Sequence, residues 1–161
     1  MFTPKIINLK DRDADTVLAE IKQKLNAGDN DGINPLEVVY LPLYGSKSGK
    51  TTSELFDSAL KLVPKFAKDD TQKQRKVRDL MILLVGSFLS NEEIIKILEA
   101  NMVNLENNSA VRVLEDRGVM KVARNLLRRG RDVQEISEDT GLAVDKILEL
   151  QNELKGELQT A

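Results

Sequence analysis

A basic, glycine-bearing loop, Gly45-Ser-Lys-Ser-Gly-Lys-Thr51, directly follows the apolar run Glu37-Val-Val-Tyr-Leu-Pro-Leu43. Loops of this kind bind phosphate when a glycine, four further residues and Gly-Lys-Ser/Thr come in that order. Counting back from Gly49-Lys50-Thr51 puts Tyr44 where the first glycine should stand, so the spacing is one residue short. On the phosphate reading, the backbone around Gly49 would cradle the anion, Lys50 would reach the terminal phosphates and Thr51 would hold Mg²⁺. Such a site needs a parallel sheet, with another strand ending in a metal-holding Asp. The pattern after Thr51 is helical and supplies none. The competing reading is a basic loop that caps the next helix.

Two acidic stretches have calcium-loop beginnings. Asp11-Arg-Asp-Ala-Asp15 places Thr16 where an EF-hand needs Gly and Lys22 where it needs Glu. Asp29-Asn-Asp-Gly32 places Asn34 at the glycine position, so both stretches read as caps and turns. The chain has no Cys and no His, which excludes thiol nucleophiles, histidine bases, Ser-His-Asp triads and the common zinc sites. A Mg²⁺-dependent nuclease built on Asp and Glu-x-Lys needs consecutive strands to hold the ion. The one convenient Glu-x-Lys, Glu20-Ile21-Lys22, lies on an amphipathic helical pattern, where its two ends point apart. No catalytic residue, metal site or cofactor is expected.

Basic residues concentrate in two places. Arg117, Lys121, Arg124, Arg128, Arg129 and Arg131 recur through a stretch with no acid between 117 and 131. A second patch holds Lys73, Arg75 and Lys76. Either could grip phosphates of a duplex. The first opens a helix-turn-helix template, in which Ser137 precedes the turn residue Gly141 by four and Ile147 follows it by six. Against duplex binding, the helix that would enter the groove carries Asp145, Glu149, Glu153 and Glu157 against only Lys146 and Lys155. Such a helix is repelled by phosphates, and the alternative is a bundle whose basic helix pairs with this acidic one.

The elements that carry these residues follow from periodicity and caps. A helix is expected over 14–27 behind Asp13, another after Thr51 or Thr52 with Pro64 ending or kinking it, and a third over 72–89. Ser90-Asn-Glu-Glu93 is a capping box for a fourth. Residues 101–109 read as a loop, and helices follow over about 110–129, from Asp132 through Asp139, and over 143–155. The β-branched pair Val38-Val39 predicts a strand over 37–43, with Pro42 confining it to an edge, and residues 5–9 offer a second extended segment. The apolar faces of 77–89 and 94–98 should form the centre.

Hydrophobic residues make up 41% of the 161, enough for a core, while only 4% are aromatic, so that core must be aliphatic. The net charge of −2 gives no global field toward nucleic acid or membrane. No signal peptide is expected at Met1-Phe2-Thr3-Pro4-Lys5. The longest apolar run, Leu80 to Leu89, is shorter than the ~20 residues that cross a bilayer. A cytoplasmic protein without a membrane partner is expected.

Ile6-Ile-Asn-Leu-Lys-Asp-Arg-Asp-Ala-Asp15, Asn34-Pro-Leu-Glu-Val-Val-Tyr-Leu-Pro-Leu43 and the ending Ala123-Arg-Asn-Leu-Leu-Arg-Arg-Gly130, Ile136-Ser-Glu-Asp-Thr-Gly-Leu142, Ile147 belong together. They resemble the carboxyl-terminal part of the recombination-promoting nuclease family, transposase-like proteins of the PD-(D/E)XK superfamily. The resemblance spans most of the chain. It implies a tail that ends in a helix, a glycine, a short helix, a Thr-Gly-Leu turn and a last helix. Intact members are implied to be Mg²⁺-dependent DNA endonucleases whose core carries the metal ligands. No stretch here matches that core, so no catalytic residue is carried over.

The expected fold is mainly α. It is a helical bundle with one or two short N-terminal strands and a C-terminal helix-turn-helix-like trihelical unit, divided into 1–108 and 109–161. The expected function is a non-catalytic assembly or regulatory module that self-associates or binds a full-length nuclease relative. A DNA-binding helix-turn-helix module is the alternative, and a nucleotide-binding loop at Gly49, Lys50 and Thr51 is a remote one.

Overall fold

The structure, a computed structural model, describes residues 8–106 and 108–159. Its helices are α1 (Ala14–Asn26), α2 (Pro35–Tyr40), α3 (Thr52–Phe66), α4 (Thr71–Val85), α5 (Asn91–Ala100), α6 (Ser109–Arg128), α7 (Val133–Thr140) and α8 (Val144–Gln159). Short 3-10 turns occupy Leu9–Asp11 and Leu41–Leu43. The chain divides into two compact units, Met1–Val111 and Arg112–Ala161, with the division falling inside α6.

The fold is mainly helical, as the caps dictate. Asp13, Asp70 and Asp132 each accept a backbone N–H from the first turn of α1, α4 and α7. Thr51 with Glu54 and Ser90 with Glu93 form reciprocal capping boxes on α3 and α5. Each satisfies two N–H groups that a helix start leaves without partners. Pro64 lies inside α3 and does not end it, since the helix continues to Phe66.

The strand expected over 37–43 is a helix instead, α2 followed by the 3-10 turn. Asn34 sits in an extended conformation and its Oδ1 accepts the Leu36 N–H at 3.0 Å, while Pro35 presets the first helical φ. A cap contributes about 1 kcal/mol, comparable to what Val38 and Val39 together cost a helix, and packing of α2 against α3, α4 and the Leu41–Leu43 turn decides in its favour. Val38 and Val39 are both buried because α2 is enclosed on more than one side, not because they alternate across a sheet. Pro42 falls inside the 3-10 turn, where its missing N–H costs little. Of the second extended segment, residues 5–7 lie outside the described residues, and Leu9 opens a 3-10 turn. Among the described residues, the only β pairing recorded is an isolated parallel bridge between Asp13 and Gly45.

In the first unit α3 is central. It packs against α1, α2, the Leu41–Leu43 turn, α4 and α5. It buries Leu55, Phe56, Ala59, Leu60, Leu62, Val63 and Phe66. Val77, Met81, Ile82 and Val85 of α4, with Ile94 and Leu98 of α5, are buried as their spacing requires. The apolar run 80–89, which outlasts α4, is not wholly internal, since Leu80 and Phe88 are 49% and 63% exposed. In the second unit Ala123, Ile136, Ile147 and Leu150 form a small core, with Met120, Leu126, Leu127, Val133 and Leu142 packed around it. Gly141 turns α7 into α8 at φ 72° and donates to the Ser137 carbonyl at 2.8 Å. The Ser137 hydroxyl donates to Leu142 O at 2.7 Å, completing a helix-turn-helix-like arrangement.

Candidate functional site

The phosphate-like loop is already occupied, by a carboxylate from its own chain. Asp15, on the first turn of α1, accepts from Ser46 Oγ at 2.8 Å, Ser48 N at 3.0 Å, Ser48 Oγ at 2.8 Å and Lys50 Nζ at 2.6 Å. The neighbouring cap residue Asp13 accepts the Lys47 N–H at 3.1 Å. Lys50, mainly, and then the Ser48 N–H and the two hydroxyls hold the Asp15 carboxyl far below the ordinary carboxylate range. Asp13 is lowered as well, first by the Thr16 hydroxyl.

The remaining residues of the loop are likewise engaged. Gly49 carries its turn at φ 79°, and Thr51 caps α3, accepting the Glu54 N–H at 3.3 Å. Gly45 lies against the 8–12 segment, giving its N–H to Arg12 O at 3.0 Å and taking the Ala14 N–H at 2.7 Å. A Cβ there would stand 2.4 Å from Lys10 O, so only glycine fits. Arg12 in turn reaches Glu37 of α2 at 2.7 Å. The loop is thus an anion nest used to fasten the start of α1 to the entry of α3. An external phosphate would have to displace Asp15 first. Sequence spacing could not reveal this, because Asp15 and Ser46 are far apart in the chain.

The acidic stretches serve as caps and turns. Asp13 and Asp15 are spent on the loop, and Asp29 accepts the Gly32 N–H at 2.9 Å in its turn. Among the described residues no group of three His, Cys, Asp or Glu could hold an ion. On α1, Glu20 and Lys22 are exposed on either side of buried Ile21.

The basic residues near 73–78 divide between opposite faces of α4, as 3.6 residues per turn requires. Lys73 and Lys76 border an apolar groove floored by Pro35, Leu36 and Val39 of α2 and Val77 and Leu80 of α4. Leu36 and Leu80 are each about half exposed there. Lys73 Nζ stands 5.5 Å from the centre of the Phe66 ring. Asp70, also at the groove, is committed to the Lys73 N–H at 2.8 Å. Arg75 turns the other way, toward Asp79, 4.0 Å off. The apolar pair was legible in part, because Leu80 interrupts the polar face that Lys73 and Lys76 define.

In the second unit, Arg117, Lys121, Arg128 and Arg129 are exposed along α6 and its end. Arg124 does not join them as a free cation. It donates to Glu153 of α8 at 2.7 Å. Arg131 pairs with Glu135 at 3.3 Å. The would-be recognition helix α8 exposes Asp145, Glu149 and Glu153, with Lys146 drawn to Glu149 at 2.8 Å. Among its described side chains, the exposed large apolar residue is Leu148. Set against protein-family models, curated proteins and solved structures, the chain matches none of them.

Proposed function

We propose that this protein is a non-catalytic assembly module of the cytoplasm that pairs with a second copy of itself through the groove between α2 and α4. The single observation that carries the reading is the exposed pair Leu36 and Leu80 on an apolar floor, with Lys73 and Lys76 at its border. That chemistry suits an amphipathic helix bearing acids beside an apolar anchor, the helix-in-groove mode. The chain carries one in α8, where exposed Leu148 stands between Asp145 and Glu149. Reciprocal exchange of α8 between two copies gives a closed two-fold pair. The resemblance to recombination-promoting nucleases supports a regulatory role, in which a full-length relative presents the same helix to the same groove.

Sedimentation tests this directly. The wild type should sediment as a dimer that persists at about 1 M salt, where the Debye length is only about 3 Å. Leu36→Glu combined with Leu80→Glu should give monomers, and so should Leu148→Glu. A wild type that stays monomeric at high micromolar concentration sinks the reading.

A second reading rests on its own observation. Among the described residues Arg117, Lys121, Arg128 and Arg129 have no recorded ion-pair partner. That stretch could track a phosphate backbone. Binding of a labelled duplex, weakening steeply with salt and reduced by Arg128→Ala plus Arg129→Ala, would favour it over assembly. The acids exposed on α8 count against it.

A further inference from the structure

A shallow trough of about 340 Å³ lies on the surface of the second unit, and the described residues that line it all come from α6. They are Arg117, Met120, Lys121, Arg124, Asn125 and Arg128. Their spacing of three and four residues puts them along one side of the helix. At about 1.5 Å of rise per residue, the four cations run along about 16 Å of its axis. Ala123 is buried in the small core and Met120 and Leu127 pack around it, which fixes the rotation of α6 and leaves the cation row open to solvent. Arg117, Lys121 and Arg128 are exposed. Arg124 is tied to Glu153 of α8 at 2.7 Å, with side chains 42% and 53% exposed. A pair as open as this is held weakly, so Arg124 can exchange that carboxylate for another oxyanion.

The partner that fits a straight row of cations carries anions at close, regular spacing. A DNA duplex presents one phosphate per about 3.4 Å of axis on each strand, so every cation of the row can find its own. The surrounding chemistry narrows the partner further. Residues 112–161 contain no Phe, Tyr or Trp, so this unit has no ring on which the bases of a single strand could stack. Duplex RNA is gripped through its 2′-hydroxyls as well as its phosphates. Apart from its cations, the described lining of the trough offers only the Asn125 amide for them. A helix-turn-helix unit ordinarily lays its last helix in the major groove. Here that helix is α8, whose exposed Asp145, Glu149 and Glu153 would be repelled by the phosphates on either side.

We infer that the second unit grips duplex DNA by its phosphate backbone through the α6 row rather than through α8, and without reading bases. This rests on the phosphate-backbone reading above and removes the objection to it, because the acids of α8 need not enter a groove. The test is fluorescence anisotropy of the full chain with two DNA duplexes of unrelated sequence, each about 20 base pairs, over about 50–200 mM salt. The two duplexes should bind alike, and a DNA single strand and an RNA duplex of the same length more weakly. Arg117→Gln combined with Lys121→Gln should weaken both DNA duplexes equally and make the slope of log K against log salt shallower by about 2, one for each lost cation. Glu153→Gln, which releases Arg124, should tighten binding about threefold. Lys146→Gln, on α8, should change nothing. If neither duplex binds saturably, the inference and the backbone reading fall together. The inference alone is overturned if duplex binding survives the Arg117 and Lys121 pair of substitutions, falls with Lys146→Gln, does not tighten with Glu153→Gln, or differs about tenfold between the two sequences. Tighter binding of the single strand or of the RNA duplex overturns it as well. The substituted positions are all exposed, so the fold is kept, and the four nucleic acids compared on the wild type decide without any variant.

Discussion

Asp15 makes the stability of the first unit depend on acid. Its folded-state pKa lies below the value of about 3.9 for an unperturbed Asp. The unfolded chain therefore takes up a proton there before the folded one does. The contribution is complete above that ordinary value and fades as pH falls through the folded pKa. Asp13, Glu54 and Glu93 are lowered by their own hydrogen bonds and act in the same direction. Urea midpoints followed from pH 7 to pH 2 should drop below about pH 4. Asp15→Asn should lower the midpoint at pH 7 and leave a shallower decline in acid, and parallel curves for the two proteins would remove Asp15 from the account. Met102 supplies a second test at this scale. Met102→Gly relieves a left-handed side-chain residue that gains nothing from packing, and should raise stability by about 0.5–1 kcal/mol in urea unfolding. The residue types at both positions were open to inspection in the chain, but their roles were not. Asp15 looked like part of a calcium loop or a helix cap, and although 101–109 read as a loop, nothing local marks Met102 as the residue that takes φ 54° there.

At the scale of elements, the sequence was most informative where side chains satisfy helix starts. Ser90 with Glu93, Asp13 and Asp132 all cap the helices expected of them, and of the two candidates Thr51 and Thr52 it is Thr51 that caps, because a cap is a local hydrogen bond that needs no tertiary partner. α2 was misread for the opposite reason. Val38-Val39 suggests extension only if nothing upstream caps a helix, and Asn34-Pro35 does cap one. The basic loop was legible as a cap for α3, with phosphate binding as a remote alternative, but not as a nest for Asp15, since that carboxylate comes from a different helix. Two substitutions separate these contributions. Thr51→Ala removes the side chain that accepts the Glu54 N–H and should cost about 1 kcal/mol by urea unfolding. Gly45→Ala should cost more, because its Cβ meets a backbone oxygen at Lys10 that cannot rotate away. If Gly45→Ala proves as mild as Thr51→Ala, the close approach of the loop to the 8–12 segment is not what holds α1 in place.

The whole molecule has two cores of very different size, and that sets which unit fails first. The first unit surrounds α3 with buried side chains from four other helices and a 3-10 turn, including fully buried Phe56, Met81, Ile82, Ile94 and Leu98. The second rests on Ala123, Ile136, Ile147 and Leu150, with partly buried neighbours. Below about 70 residues a single core rarely supplies more than about 3–5 kcal/mol. Truncating Ile147 to Ala removes about 2–5 kcal/mol, most of that reserve. Phe56→Ala removes about 3–5 kcal/mol from a unit whose size allows a larger total. Hydrogen exchange of the wild type should therefore show stronger protection in α3 and α4 than in α7 and α8. Ile147→Ala should erase protection in α7 and α8, while Phe56→Ala should reduce it in α3 and α4 without erasing it. Equal protection of the four helices in the wild type would mean that the small core is as stable as the large one, and that buried side chains alone do not rank the two units. A weakly held second unit also bears on the assembly reading, because exposed Leu148 can seat in another copy's groove only while α8 stays folded on Ala123 and Ile136, so Ile147→Ala should weaken pairing as well as protection.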